Sequence, residues 1–170
     1  MNKILIIGNA GSGKTTFAKK LAVKTSLPLI HLDRLFWKGK WESLSKEEFD
    51  PLLQAELEKE EWIIDGNFSR TIPHRLKYCD TVFYFDLPTI LCLWGITKRV
   101  FLNYGKTRDD MGGECPEYFD QRKLALYRAV MGFNRKHRKK YLRLLDDTEN
   151  VDVIIFRNRK QARHYLESLI

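Results

Sequence analysis

The chain has 170 residues, of which 44% are hydrophobic and 31% charged. That is enough apolar surface for one domain with its own core, and it excludes both a disordered chain and a miniprotein held together by disulfides or a metal. Its 30 Lys and Arg against 22 Asp and Glu leave a net charge of +8, which suits phosphorylated small molecules, nucleic acid or anionic lipid without choosing among them.

The longest apolar stretch, Thr81 to Ile96, is interrupted by Asp86 and Pro88 and is shorter than the roughly 18 to 20 apolar residues of a membrane span. No membrane partner is expected. After Lys3 only Ile4 to Ile7 precede a glycine, too short a run for a signal peptide. Cys79, Cys92 and Cys115 are odd in number and widely spaced, which fits a reducing compartment and no zinc site. The expectation is a cytoplasmic protein with Cys115 a plain thiol.

Lys3 to Ile7 is a short, uniformly apolar run, the pattern of a strand covered on both faces in a parallel sheet. After a glycine-rich turn, Phe17, Ala18, Leu21 and Ala22 recur at helical spacing and predict a helix over Lys14 to Lys24. Leu29 to Asp33 reads as a second strand. A helix follows over Lys46 to Glu60, with Phe49, Leu52, Leu53 and Leu57 on one face and Ser45 and Glu48 forming a capping box. Pro51 offers an alternative start, with Asp50 as the cap.

Trp62 to Asp65 and Thr81 to Asp86 read as the third and fourth strands, and a helix follows over Thr89 to Asn103. The segment 104–120 is polar, contains Gly105, Gly112 and Gly113 and has no periodicity, so it reads as a mobile, lid-like excursion. A basic helix over Gln121 to Leu145, a strand over Val151 to Phe156 and a helix over Lys160 to Leu169 complete the chain. This alternation predicts a single α/β domain over 1–170, a sandwich around a parallel sheet.

Gly8, Asn9, Ala10, Gly11, Ser12, Gly13, Lys14 and Thr15 match the phosphate-binding loop G-x-x-x-x-G-K-[ST], with a strand before and a helix after. Glycines let backbone N–H groups converge on phosphate oxygens, and the helix start adds its positive dipole end. Lys14 is expected on the β and γ phosphates of a nucleoside triphosphate and Thr15 on Mg²⁺. The guanine-reading Asn/Thr-Lys-x-Asp motif of GTPases is absent, and Asp65 is followed by Gly66, not by the second acid of a motor ATPase.

Asp33, Asp65 and Asp86 end three strands, at the sheet edge where open parallel sheets bind ligands. Asp33 with Arg34, Phe36, Trp37 and Trp41 predicts an acceptor site, Asp65 lies beside the metal, and Asp86 is expected to cap the next helix. Arginines that surround a moving phosphoryl group are sought among Arg70, Arg99, Arg108, Arg135 and Arg138, with Arg108 foremost. The cations between Arg135 and Arg143 read as a helix facing phosphates and solvent. No nucleic-acid signature accompanies them. His31, His74, His137 and His164 read as structural or exposed.

Gly8 to Thr16, His31 to Trp37, Trp62 to Asn67, Phe85 to Pro88, and Gly105 to Met111 with Cys115-Pro116-Glu117 together resemble the bacterial DNA topology modulation proteins, an adenylate-kinase-related group. The likeness spans nearly the whole chain. It implies a nucleoside-monophosphate-kinase-like sheet of order 2-3-1-4-5, with an ATP site that includes Thr16, an acceptor site and a short lid. It also implies that Arg157 and Asn158 belong to an adenine-side loop. Asn67-Phe68-Ser69-Arg70-Thr71 replaces the Phe-Pro-Arg-Thr of adenylate kinase, and the Thr-Gly-Asp acceptor motif is missing, which argues against AMP.

The expected activity is an ATP- and Mg²⁺-dependent phosphotransferase. Lys14, Asp33, Arg99 and Arg108 would act in transfer, with Asp33, Arg34, Trp37, Asp65, Gly66 and Arg70 at the small-molecule acceptor. Thr15 and Asp65 would form the metal shell. The alternative is a nucleotide-dependent regulator that engages nucleic acid.

Overall fold

A computed structural model describes residues 1–169. The elements in chain order are β1 (Lys3–Gly8), α1 (Lys14–Thr25), β2 (Leu29–His31), α2 (Leu32–Phe36), β3 (Trp37–Gly39), β4 (Glu42–Ser43), α3 (Lys46–Leu57), β5 (Trp62–Asp65), α4 (Ile72–Arg75), β6 (Thr81–Phe85), α5 (Thr89–Leu102), α6 (Gln121–Phe133), α7 (Lys139–Asp146), β7 (Asp152–Phe156) and α8 (Arg159–Ser168). A π-helical turn, Asn134–Arg138, joins α6 to α7.

Five strands form a parallel sheet in the order β2-β5-β1-β6-β7. Counted among sheet strands alone, this is the expected 2-3-1-4-5 order. Each strand runs into a helix on one face or the other, so the strands read as unbroken apolar runs. Alternate residues of β1 serve opposite cores. Ile4 and Ile6 pack with Phe17 and Leu21 of α1, Ile96 of α5 and Leu166 of α8. Leu5 and Ile7 pack with Phe49, Leu53 and Leu57 of α3 and with Tyr141 and Leu145 of α7.

Three expectations are corrected. β2 ends at His31, and Asp33 lies in the short α2, because Leu32 turns down into the second core and winds the chain into a helical turn. In α3 the capping box forms and the helix runs through Pro51 from Lys46. The carbonyl that loses its donor belongs to Glu47, which is exposed, so water can replace the missing bond. Leu52 is exposed and not on the buried face. The predicted basic helix is present but relaxes into the π turn after Phe133, the point where the chain passes from one core, reached by Val130, to the other, reached by Phe133.

The strand ends place the functional residues in one row. In the pairing register His31 is opposite Asp65, Ile6 opposite Asp65, and Gly8 opposite Phe85. The phosphate-loop start, Asp65 and the turn into α2 therefore share the carboxyl edge of the sheet. Segment 104–120 is a loop whose two limbs bridge at Tyr104–Glu117 and Thr107–Pro116. Its tip packs against the hairpin β3–β4, where the Lys40 N–H donates to the Glu114 carbonyl (2.6 Å) and Trp41 Nε1 to the Pro116 carbonyl (3.1 Å). A side chain at Gly112 would place its Cβ 2.1 Å from the Trp37 carbonyl oxygen, so only glycine fits the contact.

Candidate functional site

Gly13 caps α1 with a left-handed φ of 106° and no side-chain bond to the helix start. The first N–H groups of α1 are thus free for an anion, and no acidic residue stands in the first turn. Gly11 (φ 75°) has no space for a side chain, since a Cβ there would lie 2.1 Å from the Cys92 carbonyl oxygen of α5. Arg159 of α8 donates to the Ser12 carbonyl (3.2 Å) and to the Gly11 carbonyl (2.8 Å), and Asn9 Nδ2 donates to the Val130 carbonyl (3.1 Å). The loop is held from α5, α6 and α8 at once.

Lys14 Nζ donates to the Asn9 carbonyl (2.9 Å). Burial pulls its pKa below the ordinary lysine value, partly opposed by the Asp65 carboxylate. The Thr15 hydroxyl donates to Asp65 Oδ2 (2.6 Å), and His31 Nδ1 lies 3.3 Å from the same oxygen. Burial pushes the Asp65 carboxyl up, but His31, Lys14 and Thr15 together outweigh it and hold the group below the usual carboxylate range. Asp65 Oδ1 is buried without a hydrogen-bond partner. An ionised carboxylate with a free oxygen beside a threonine hydroxyl is the donor set that a Mg²⁺ carried on phosphates requires. No cluster of three or more His, Cys, Asp or Glu occurs among the described residues, so the protein alone offers no complete cation cage.

A cleft of about 1100 Å³ runs from the loop across Asp65 to α2 and segment 104–120. Ala10, Gly11, Ser12, Gly13, Lys14, Thr15 and Thr16 line one end, and Asp33, Trp37, Asp65, Gly66, Arg99 and Arg108 line the rest. Gly8 lies beneath the loop, its N–H donating to Asn67 Oδ1 (3.3 Å). Asp33 is held above the ordinary carboxylate pKa by burial, with Arg108 opposing.

Besides Gly8, four expected residues do not reach this cleft. Arg34 points to solvent from α2. Arg70 is exposed and pairs with Asp50 (2.8 Å). Arg157 pairs with Asp86, and Asn158 caps α8 by accepting from the Gln161 N–H (2.9 Å). Asp86 does not cap α5. It is buried and takes Arg138 through two guanidinium nitrogens (2.8 and 2.9 Å) as well as Arg157, while Pro88 occupies the cap position.

Sequence reasoning missed two groups, Glu117 and Arg75, and at Trp41, expected at the acceptor site, it missed the cations beside the ring. Glu117 is fully buried and gathers Lys123, Arg99 (3.4 Å) and Arg108 (3.3 Å). Arg108 also lies 3.3 Å from Asp110. The Arg99 and Arg108 Nε atoms and Glu117 Oε1 attract without hydrogen-bond geometry. Arg75, fully buried, donates to the carbonyls of Gly66 (2.9 Å) and Asn67 (2.6 Å) and to the Thr71 hydroxyl (3.0 Å), fixing the loop whose Asn67 meets Gly8; burial lowers its pKa to about 9. Trp41 sits in the cleft wall with the Lys123 ammonium 5.1 Å and the Arg122 guanidinium 5.5 Å from its ring centre. Cys115-Pro116-Glu117 was visible as a motif, whereas Arg75 carried no signal, since nothing local distinguishes it from a solvated arginine.

The same sheet order occurs in solved kinase structures. Shikimate kinase from Bacteroides thetaiotaomicron superimposes with a TM-score of 0.56 at 16% identity, covering 98% of this chain and 94% of that one. Deoxyadenosine kinase from M. mycoides with bound dATP gives 0.57 at 14% identity, covering 98% of both chains. The fold is that of P-loop kinases. A family profile described as isopentenyl transferase matches residues 1–42, the stretch that carries the phosphate loop and Asp33. No curated protein matches the sequence.

Proposed function

We propose that the protein is an ATP- and Mg²⁺-dependent phosphotransferase that moves the terminal phosphoryl group to a hydroxyl of a small, uncharged acceptor. The observation that carries this is the juxtaposition of Lys14, the Thr15–Asp65 pair and Asp33 along one cleft. The loop amides and Lys14 would bind the phosphate tail. Thr15 and the free oxygen of Asp65 would hold the metal shell, and Mg²⁺ when bound supplies charge neutralisation to the phosphate oxygens. Asp33 would accept the proton of the acceptor hydroxyl, a task its raised pKa suits. Arg99 and Arg108 would face the charge that develops in transfer, with segment 104–120 acting as the lid.

The acceptor wall favours an uncharged, planar molecule. Trp37, Trp41 and Phe68 give it aromatic faces. Most of its cations are paired, Arg122 with Asp120, and Lys123, Arg99 and Arg108 with Glu117 and Asp110, which leaves one positive charge in excess for the phosphoryl group. The test is incubation with γ-labelled ATP, Mg²⁺ and a panel of nucleosides, nucleotides and hydroxylated metabolites. Transfer is expected to an uncharged member and is lost in Lys14→Ala, while Arg108→Ala lowers kcat more than ATP affinity. No transfer and no calorimetric heat with Mg-ATP would defeat the proposal.

A second reading rests on Arg135, Lys136, Lys139, Lys140 and Arg143, exposed along the π turn and α7 and, among the described residues, without ion-pair partners. A nucleotide-dependent regulator would use this stripe on nucleic acid. Duplex retained in a gel shift at physiological salt and released by ATP would favour it.

A further inference from the structure

Helix α5 is apolar on two sides. Cys92, Ile96 and Val100 are buried in the core below it, and its only cations, Lys98 and Arg99, line the cleft. The side away from the core carries Ile90, Trp94 and Phe101, exposed by 69, 63 and 69%, at spacings that align them on one stripe. Helix α6 runs alongside in the opposite direction, with Asn134, just past its end, meeting Thr89 (3.2 Å) and Tyr127 meeting Thr97 (2.6 Å). It adds exposed Leu124 and Met131, seven residues apart. Phe119 closes one end, its ring edge on Phe101 with centroids 5.4 Å apart.

We propose that this two-helix face is where a second copy of the chain binds. Aromatic side chains bury about 150–250 Å² each when fully covered; with a similar area taken for Ile90, Leu124 and Met131, these six residues at half to two-thirds exposure offer about 700 Å², and neighbouring Tyr104, also exposed, brings the face to about 800 Å² in the same terms. That exceeds the roughly 300–600 Å² of a monomer's largest apolar patch and matches the roughly 800 Å² per partner of a standard interface.

The charge pattern points to a copy of the chain and not to a foreign partner. Two chains of +8 can meet only through a surface low in charge, and here the exposed cations nearest the two stripes are Lys98, which lines the cleft, and Arg128, which stands beside Leu124 and Met131 at helical spacing. An acidic protein would be drawn instead to the unpaired cations of α7. A helix apolar on both sides also needs cover as soon as the chain folds, and a copy of itself is the partner always present.

Multi-angle light scattering and sedimentation equilibrium on the full chain, from about 1 µM to about 100 µM, span the affinities such interfaces reach. The expected mass is twice the 20.1 kDa of one chain, halving in Trp94→Glu and in Ile90→Lys with the circular dichroism spectrum retained. A one-chain mass for the unaltered protein throughout overturns the proposal, as does a doubled mass that survives both substitutions. If one variant fails to fold, the other decides. A one-chain mass together with co-sedimentation on phosphatidylglycerol vesicles would assign the face to lipid and equally overturn it.

Discussion

Replacing Glu117 by Gln removes one negative charge from a fully buried position that three cations share. Arg108 keeps Asp110 at 3.3 Å, and Arg99, a quarter exposed, opens onto the cleft and its water. Lys123, only 6% exposed, has no other carboxylate in its ion pairs and bears most of the loss. Breaking a buried pair costs about 3–5 kcal/mol, and with two of the three cations partly relieved the lower end, about 3 kcal/mol, applies. For a domain of this size that is a fall in Tm of about 6–12 °C. Thermal melts followed by circular dichroism read it directly. A Tm unchanged within a degree would refute the claim that this carboxylate holds the arginines and lysine together.

Asp33→Asn should slow phosphoryl transfer by about 100-fold or more yet raise Tm by about 2–4 °C, equivalent to about 1 kcal/mol. The sign follows from its raised pKa: a folded value above the unfolded one gives stability that is present at low pH and lost as pH rises through it, so removing the charge helps at neutral pH. A kcat/KM profile for ATP should fall on the acid side with a midpoint above the ordinary aspartate value of about 3.9 and on the alkaline side below the ordinary lysine value of about 10.4, from Asp33 and Lys14 respectively. Asp33→Asn should erase only the acid limb. Arg75→Lys keeps the charge but not the planar fork that reaches Gly66, Asn67 and Thr71. About 3 kcal/mol of stability should go with those bonds, measured by urea unfolding, and an unchanged midpoint would count against the clamp.

The sheet was legible because its strands are short apolar runs, three of which end at or just before a glycine or an aspartate, and the phosphate loop was legible because its chemistry is local. Lys14, Thr15, Asp65, Arg99 and Arg108 line the cleft where the phosphate loop, a strand end, a helix and the excursion meet, and Asp33 reaches it from α2 instead of from a strand end. The hairpin β3–β4 was hidden because its turn residues Lys40 and Trp41 take left-handed φ values of 50° and 61° without the Asn-Gly signature that announces such turns. What holds Trp41 there is a carbonyl of segment 104–120, a contact 75 residues distant. Glu117, Arg75 and Arg159 were hidden for the same reason, since each has its meaning only through partners brought by another element. Arg157 and Asn158 were sought at the right corner, but the residue that reaches the loop is Arg159.

The crossing of Gly11 and Gly95 leaves no clearance at all, for a Cβ on Gly95 would lie 2.0 Å from the Gly11 carbonyl oxygen. The phosphate loop and α5 therefore move as a single rigid block, and any opening that admits or releases a ligand has to come from the opposite bank, where Trp37 and Gly112 touch. A face of α5 pinned by a neighbouring protomer would brace that block from behind, coupling assembly to the steadiness of the phosphate grip.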